Sequence, residues 1–91
     1  MSGLAWRQAV VSLRFCVLCG ADGVQAAHRN EGKGMSMKTG DHLCAALCPT
    51  CHHEIDNGPG MTREERRAHW NDAFVRTFDQ MVRRGIVRLA P

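Results

Sequence analysis

The sequence predicts a small α+β domain stabilised by zinc, on three observations: the chain is short, its cysteines fall into two Cys-x-x-Cys pairs, and only its last third carries a long amphipathic helix pattern. Ninety-one residues make a single domain spanning 1–91. A chain of that length buries too little apolar surface for its core alone to give more than marginal stability. Five cysteines are an odd number, and nothing from Met1 to Arg14 resembles a secretory leader, so metal ligation is a better reading than a disulfide framework.

Taken in order, Leu4 to Phe15 mixes apolar and polar residues and is expected to form a short helix passing into a strand that ends at Cys16. Between Gly20 and Asp41 the glycines at 20, 23, 32, 34 and 40 predict loop around a short segment at Val24 to His28. Cys51 to Asn57 reads as a short helix stopped by Gly58 and Pro59. A C-terminal helix over about 62–84 is announced by Thr62 and Glu65, spaced as a capping box. Its apolar positions are Trp70, Ala73, Phe74, Phe78, Met81 and Val82, and Gly85 ends it. Ile86 to Leu89 is expected to be a short strand or an extended tail packing back on the domain.

Cys16 with Cys19, and Cys48 with Cys51, supply four thiolates. A two-residue gap lets a tight turn aim both sulfurs at one ion, and two such turns close a tetrahedral zinc shell with no open position, which makes the role structural. Cys44 is assigned to the core, because a fifth thiolate has no place in that shell.

His52 follows the second pair and stands four residues before Asp56, so on a helix both reach one divalent ion from the same face. Phosphodiester hydrolysis needs an activated water, stabilisation of charge on the phosphoryl oxygens and help for the leaving oxygen. A histidine suits the first task, and a metal the other two.

The runs Cys16-Val17-Leu18-Cys19, Ala27-His28-Arg29 and Leu47-Cys48-Pro49-Thr50-Cys51-His52 resemble the HNH (ββα-metal, His-Me finger) endonucleases with their flanking zinc cysteines. The chain looks closest to the small phage and prophage YbcO-like nucleases. That likeness rests on Ala27-His28-Arg29, Gly34-Met35-Ser36-Met37-Lys38-Thr39-Gly40-Asp41 and Cys51-His52-His53-Glu54-Ile55-Asp56, within residues 16–58. It implies a treble-clef-like ββα-metal core, with the C-terminal helix appended, that hydrolyses DNA. His28 would be the general base, and His52 and Asp56 ligands of a catalytic magnesium, manganese, nickel or zinc ion.

Two positions depart from the family pattern. Ala27 stands where the family often has a metal ligand, and the usual asparagine before the second cysteine pair is missing. Asp41 is the nearest polar substitute, orienting His28 or contributing to the metal, while Leu43 holds the closer spacing.

A net charge of +3 and a pI near 8.8 mildly favour an anionic partner. Arg29, Lys33, Lys38 and His53 are candidate nucleic-acid contacts, whereas His42 and His69 read as solvated. Arg63, Arg66, Arg67, Arg76, Arg83, Arg84 and Arg88 read either as the solvated face of the last helix and its tail or as phosphate contacts. No run approaches the roughly 18 apolar residues of a membrane span, and a cytoplasmic location is expected.

Two readings of other classes stay open. One is a catalytically silent zinc module that binds nucleic acid or a protein through its arginine-bearing helix. The other is a structural partner in a phage recombination or packaging assembly. A homodimer would ease double-strand cutting.

Overall fold

The computed structural model describes residues 2–29 and 40–90. Its order is α1 (Gly3–Val11), β1 (Gln25–His28), β2 (Cys44–Leu47), α2 (Pro49–Asn57) and α3 (Arg63–Arg83), a small α+β arrangement with an antiparallel two-stranded sheet. A two-stranded sheet is barely stable by itself, and here helices cover both of its faces.

Strand alternation sorts the core into two halves. Pairing runs Gln25 with Leu47, Ala26 with Ala46, Ala27 with Ala45 and His28 with Cys44. Ala27, Ala45 and Leu47 turn to one side, where they cluster with Ile55 of α2 and Trp70 and Ala73 of α3. Cys44 and Ala46 turn to the other and meet Val10 and Leu13 at the end of α1 and Met81 of α3, with Ala26 beside them. Four central alanines leave little side chain between sheet and helices, so backbones come close. Trp70 Nε1 accordingly donates to the Ala27 carbonyl at 3.1 Å.

Thr77 joins the long helix to the strand. Buried to 1% exposure, its hydroxyl accepts from the Ala46 amide at 3.0 Å and donates to the Ala73 carbonyl at 2.8 Å. An apolar-periodicity reading passes over this polar residue, although it lies on the buried stripe with Trp70, Ala73 and Met81.

Several expected elements need correction. The strand expected before Cys16 shrinks to one bridge between Phe15 and Asp22. Arg14 takes a positive φ of 71° and the chain reverses at once into the first cysteine turn, leaving no length for a strand. α2 begins two residues earlier than expected, because Cys48 caps it by accepting the Cys51 amide and Pro49 occupies its first turn. Of the two forms expected for Ile86 to Leu89, the tail packing back is the one present: after Gly85, at φ 74°, Ile86 and Val87 pack on the core while Leu89 stays exposed. The Thr62–Glu65 capping box is formed in both directions.

Candidate functional site

Two turns deliver the four paired cysteines to one place. The first closes with Gly20 N–H donating to the Cys16 carbonyl at 2.8 Å, at a φ of 78° that suits glycine, and Val17 N–H ties the turn to the Ala46 carbonyl of β2. The second is the capped start of α2. Their sulfurs all lie within 4.8 Å of one another, and Cys19 Sγ is 3.6 Å from Cys48 Sγ. Tetrahedral bonds of about 2.3 Å to zinc put sulfurs about 3.8 Å apart, so the cluster could hold a structural metal such as zinc.

Electrostatics differ among the four thiols. Burial pushes the Cys16 thiol up, but the backbone amides of Cys48, Cys19 and Leu18 outweigh it and bring it to about 6. Burial and the neighbouring thiols of Cys19, Cys48 and Cys16 push Cys51 up. The Ala21 amide pulls Cys19 down, yet the Cys48 and Cys16 thiols leave it raised. A divalent cation bound there would relieve this crowding by replacing the remaining protons. Cys44 takes no part: it is 1% exposed, its sulfur donates to the Asp41 carbonyl, and burial pushes its thiol up to about 11.

A second cluster forms on the α1 side of the sheet. His28 Nε2 and Asp41 Oδ1 are 2.8 Å apart, and Arg7 Nε lies 3.5 Å from the same oxygen. The hydrogen bond from His28 holds the Asp41 carboxyl below the usual carboxylate range, with the charge of Arg7 helping against desolvation. Asp41 also sits against the first turn of α1, where a Cβ on Gly3 would collide with its carboxylate; the partial positive charge of a helix start favours an anion there. With Nε2 donating to Asp41, Nδ1 is left as the proton-accepting ring nitrogen of a neutral imidazole. His28 and Arg7 line an open cleft of about 430 Å³ with Gln8, Val11 and Ala26.

A third cluster lies on the α2 side. His52 Nε2 is 3.1 Å from Asp56 Oδ2 and its Nδ1 is 2.8 Å from Gln25 Oε1. Both ring nitrogens thus face oxygen acceptors. With its Nδ1–H held by Gln25, Nε2 either bonds the Asp56 carboxylate directly through a second N–H or, without one, could share a cation with it. Ligating histidines usually have such an outer partner. Arg66 steadies the helix by donating to the carbonyls of Asp56 and Gly58.

The two histidine clusters flank one strand. Gln25 and Ala27 turn toward α2, whereas Ala26 and His28 turn toward α1, and about 10 Å of strand separates Gln25 from His28 at roughly 3.3 Å per residue. Among the described residues, the cysteine cluster is the only set of three or more metal-ligating side chains drawn together. Ala27, at 0% exposure, places a methyl group on the α2 side.

His53, His42 and His69 are exposed. Arg29 follows β1, its amide bonded to the Leu43 carbonyl, and Lys33 and Lys38 lie outside the described residues. On α3, Arg76 and Arg83 pair with Asp72 and Asp79 one turn earlier. Five arginines there face four carboxylates, so the helix is not a strongly basic stripe. Sequence reasoning missed Arg7, Gly3 and Gln25, which carry no motif and act through contacts distant in sequence. Among known proteins, no family model, curated protein or solved structure matches the chain.

Proposed function

We propose that this protein is a metal-dependent HNH-type endonuclease that hydrolyses DNA phosphodiester bonds, with zinc in the four-cysteine site as its structural staple. The observation that carries this reading is the 2.8 Å bond between His28 Nε2 and Asp41 Oδ1 at the mouth of a cleft shared with Arg7. It fixes one tautomer and one ring orientation, which is what a general base requires.

His52 and Asp56 fit a catalytic divalent ion: they lie one helical turn apart, 3.1 Å between donor atoms, with imidazole and carboxylate chemistry suited to magnesium, manganese, nickel or zinc. When bound, such an ion supplies charge stabilisation on the phosphoryl oxygens. The chain's own residues then divide the remaining work. His28 Nδ1 accepts a proton from water, Asp41 holds the ring and balances the resulting imidazolium, and Gln25 holds His52 in its ligating tautomer. The two clusters lie on opposite faces of β1, so the reading requires the substrate to wrap the outer edge of β1, whose only partner among the named strands is β2.

Titrating magnesium, manganese and nickel into wild-type protein with supercoiled plasmid should give nicking that saturates with metal. His52→Ala and Asp56→Asn should shift the half-saturating concentration upward at unchanged zinc content. Equal metal dependence in all three proteins would remove His52 and Asp56 from the reading.

A second reading, a catalytically silent zinc module, is favoured by Ala27, whose buried methyl leaves the ion with two protein ligands from the proposed set. It predicts no nicking under any metal.

A further inference from the structure

The cleft beside the proposed base has one wall that no motif marks: Arg7, Gln8 and Val11 of α1 face Ala26 and His28 of β1 across it. Arg7 is half-exposed on its wall, with Nε buried and lacking a hydrogen-bond partner despite lying 3.5 Å from Asp41. The guanidinium is therefore held near the carboxylate without being consumed by it. Asp41, whose charge Arg7 balances, also bonds His28 and abuts the start of α1, where the helix dipole favours an anion. The cleft becomes apolar at Val11 and Ala26. A volume of about 430 Å³ falls in the range of small-ligand clefts, about 300–1,000 Å³, room for a phosphate with its sugar.

We propose that this cleft seats one nucleotide of a DNA strand, with Arg7 and Gln8 contacting the backbone phosphate and Val11 and Ala26 packing against the sugar. The inference rests on the nuclease reading for its ligand. It adds a backbone-phosphate contact at Arg7 and a positioning role for α1. Guanidinium is suited to phosphate because its planar fork donates two parallel hydrogen bonds. Arg7 is also close enough to Asp41 that filling the cleft would bring the phosphate beside His28.

The test is fluorescence anisotropy with a labelled single-stranded oligonucleotide, without added divalent metal, so that binding is read apart from cleavage. Arg7→Gln should bind about tenfold more weakly, and the slope of log affinity against log salt should fall by about 0.7, the value for one phosphate contact on a single strand. Gln8→Glu, at an exposed neighbouring position that leaves the Asp41 contacts intact, should also weaken binding several-fold. Millimolar inorganic phosphate should fail to displace the oligonucleotide.

Wild-type affinity and salt slope in both variants would overturn the proposal, as would displacement by phosphate alone or no wild-type binding. If Arg7→Gln loses binding while the wild type cuts nothing, the seat stands and the nuclease reading falls. If the wild type cuts and both variants bind normally, the reverse holds.

Discussion

Stripping the metal from the four-cysteine site should unfold the α2 side of the molecule, and the structure gives the size of the effect. The core cluster on that side consists of Cys16, Ala27, Ala45, Leu47, Cys48, Ile55, Trp70 and Ala73. Two of these are proposed metal ligands and three are alanines, leaving Leu47, Ile55 and Trp70 as its large side chains. At about 1.5–3 kcal/mol for each large buried side chain, these contribute roughly 5–9 kcal/mol, an upper bound because denatured chains retain some burial. Val17, Leu18, Val24, Leu43 and Phe74 add partly buried contacts, and zinc in that site, at on the order of 10 kcal/mol or more, would match all the apolar contacts it organises. Chelation at neutral pH should therefore abolish the near-ultraviolet circular dichroism and red-shift the emission of Trp70, which is 7% exposed. Both signals should return when zinc is restored in stoichiometric amount. A stripped protein that kept its near-ultraviolet signal and melted cooperatively within a few degrees of the zinc form would refute this ranking.

Thr77→Val should cost about 2 kcal/mol, since an isosteric methyl leaves the buried Ala46 amide without a partner; in a domain of this size that lowers Tm by roughly 8–16 °C, and a loss below 3 °C would contradict the account. Gly3→Ala should depress cleavage by roughly ten- to a hundredfold by displacing Asp41 from His28, with zinc content unchanged; cleavage equal to wild type would show that Asp41 has room to move. Burial raises the Cys44 thiol to about 11, so the folded form favours the neutral thiol. Its contribution is fully present below the unfolded value, about 8.5, and is lost as pH rises through about 11. Urea unfolding of wild type and Cys44→Ala should therefore differ by a constant amount up to about pH 8.5 and by less toward pH 11, whereas a constant difference throughout would exclude this linkage.

How legible all this was in the sequence depended on the range of the signal. Helix starts and stops act over three or four residues, and the Thr62–Glu65 box, Gly58 and Gly85 were readable for that reason. The two Cys-x-x-Cys turns were likewise local, and their convergence followed from the chemistry of a four-sulfur shell. Thr77 was missed because its role depends on an amide 31 residues away, and apolar periodicity skips a hydroxyl. Arg7 and Gly3 were missed because they meet Asp41 only once α1 folds over the sheet. The separation of His28 from His52 by the faces of β1 was hidden for a similar reason. It depends on strand parity combined with which helix covers which face, and no spacing within a motif encodes that. The strand expected before Cys16 failed because a positive φ at Arg14 is a local backbone choice that an apolar pattern does not reveal.

The proposed role of His28 as general base is tested by nicking of supercoiled plasmid by wild type and His28→Ala purified in parallel at equal zinc content. Removal of a general base costs about 10²- to 10⁴-fold. Metal-dependent nicking is therefore expected from the wild type, absent or reduced at least a hundredfold in the variant, with both proteins folded and zinc-bound. Equal nicking by the two proteins, or none by the wild type under magnesium, manganese or nickel, would contradict it.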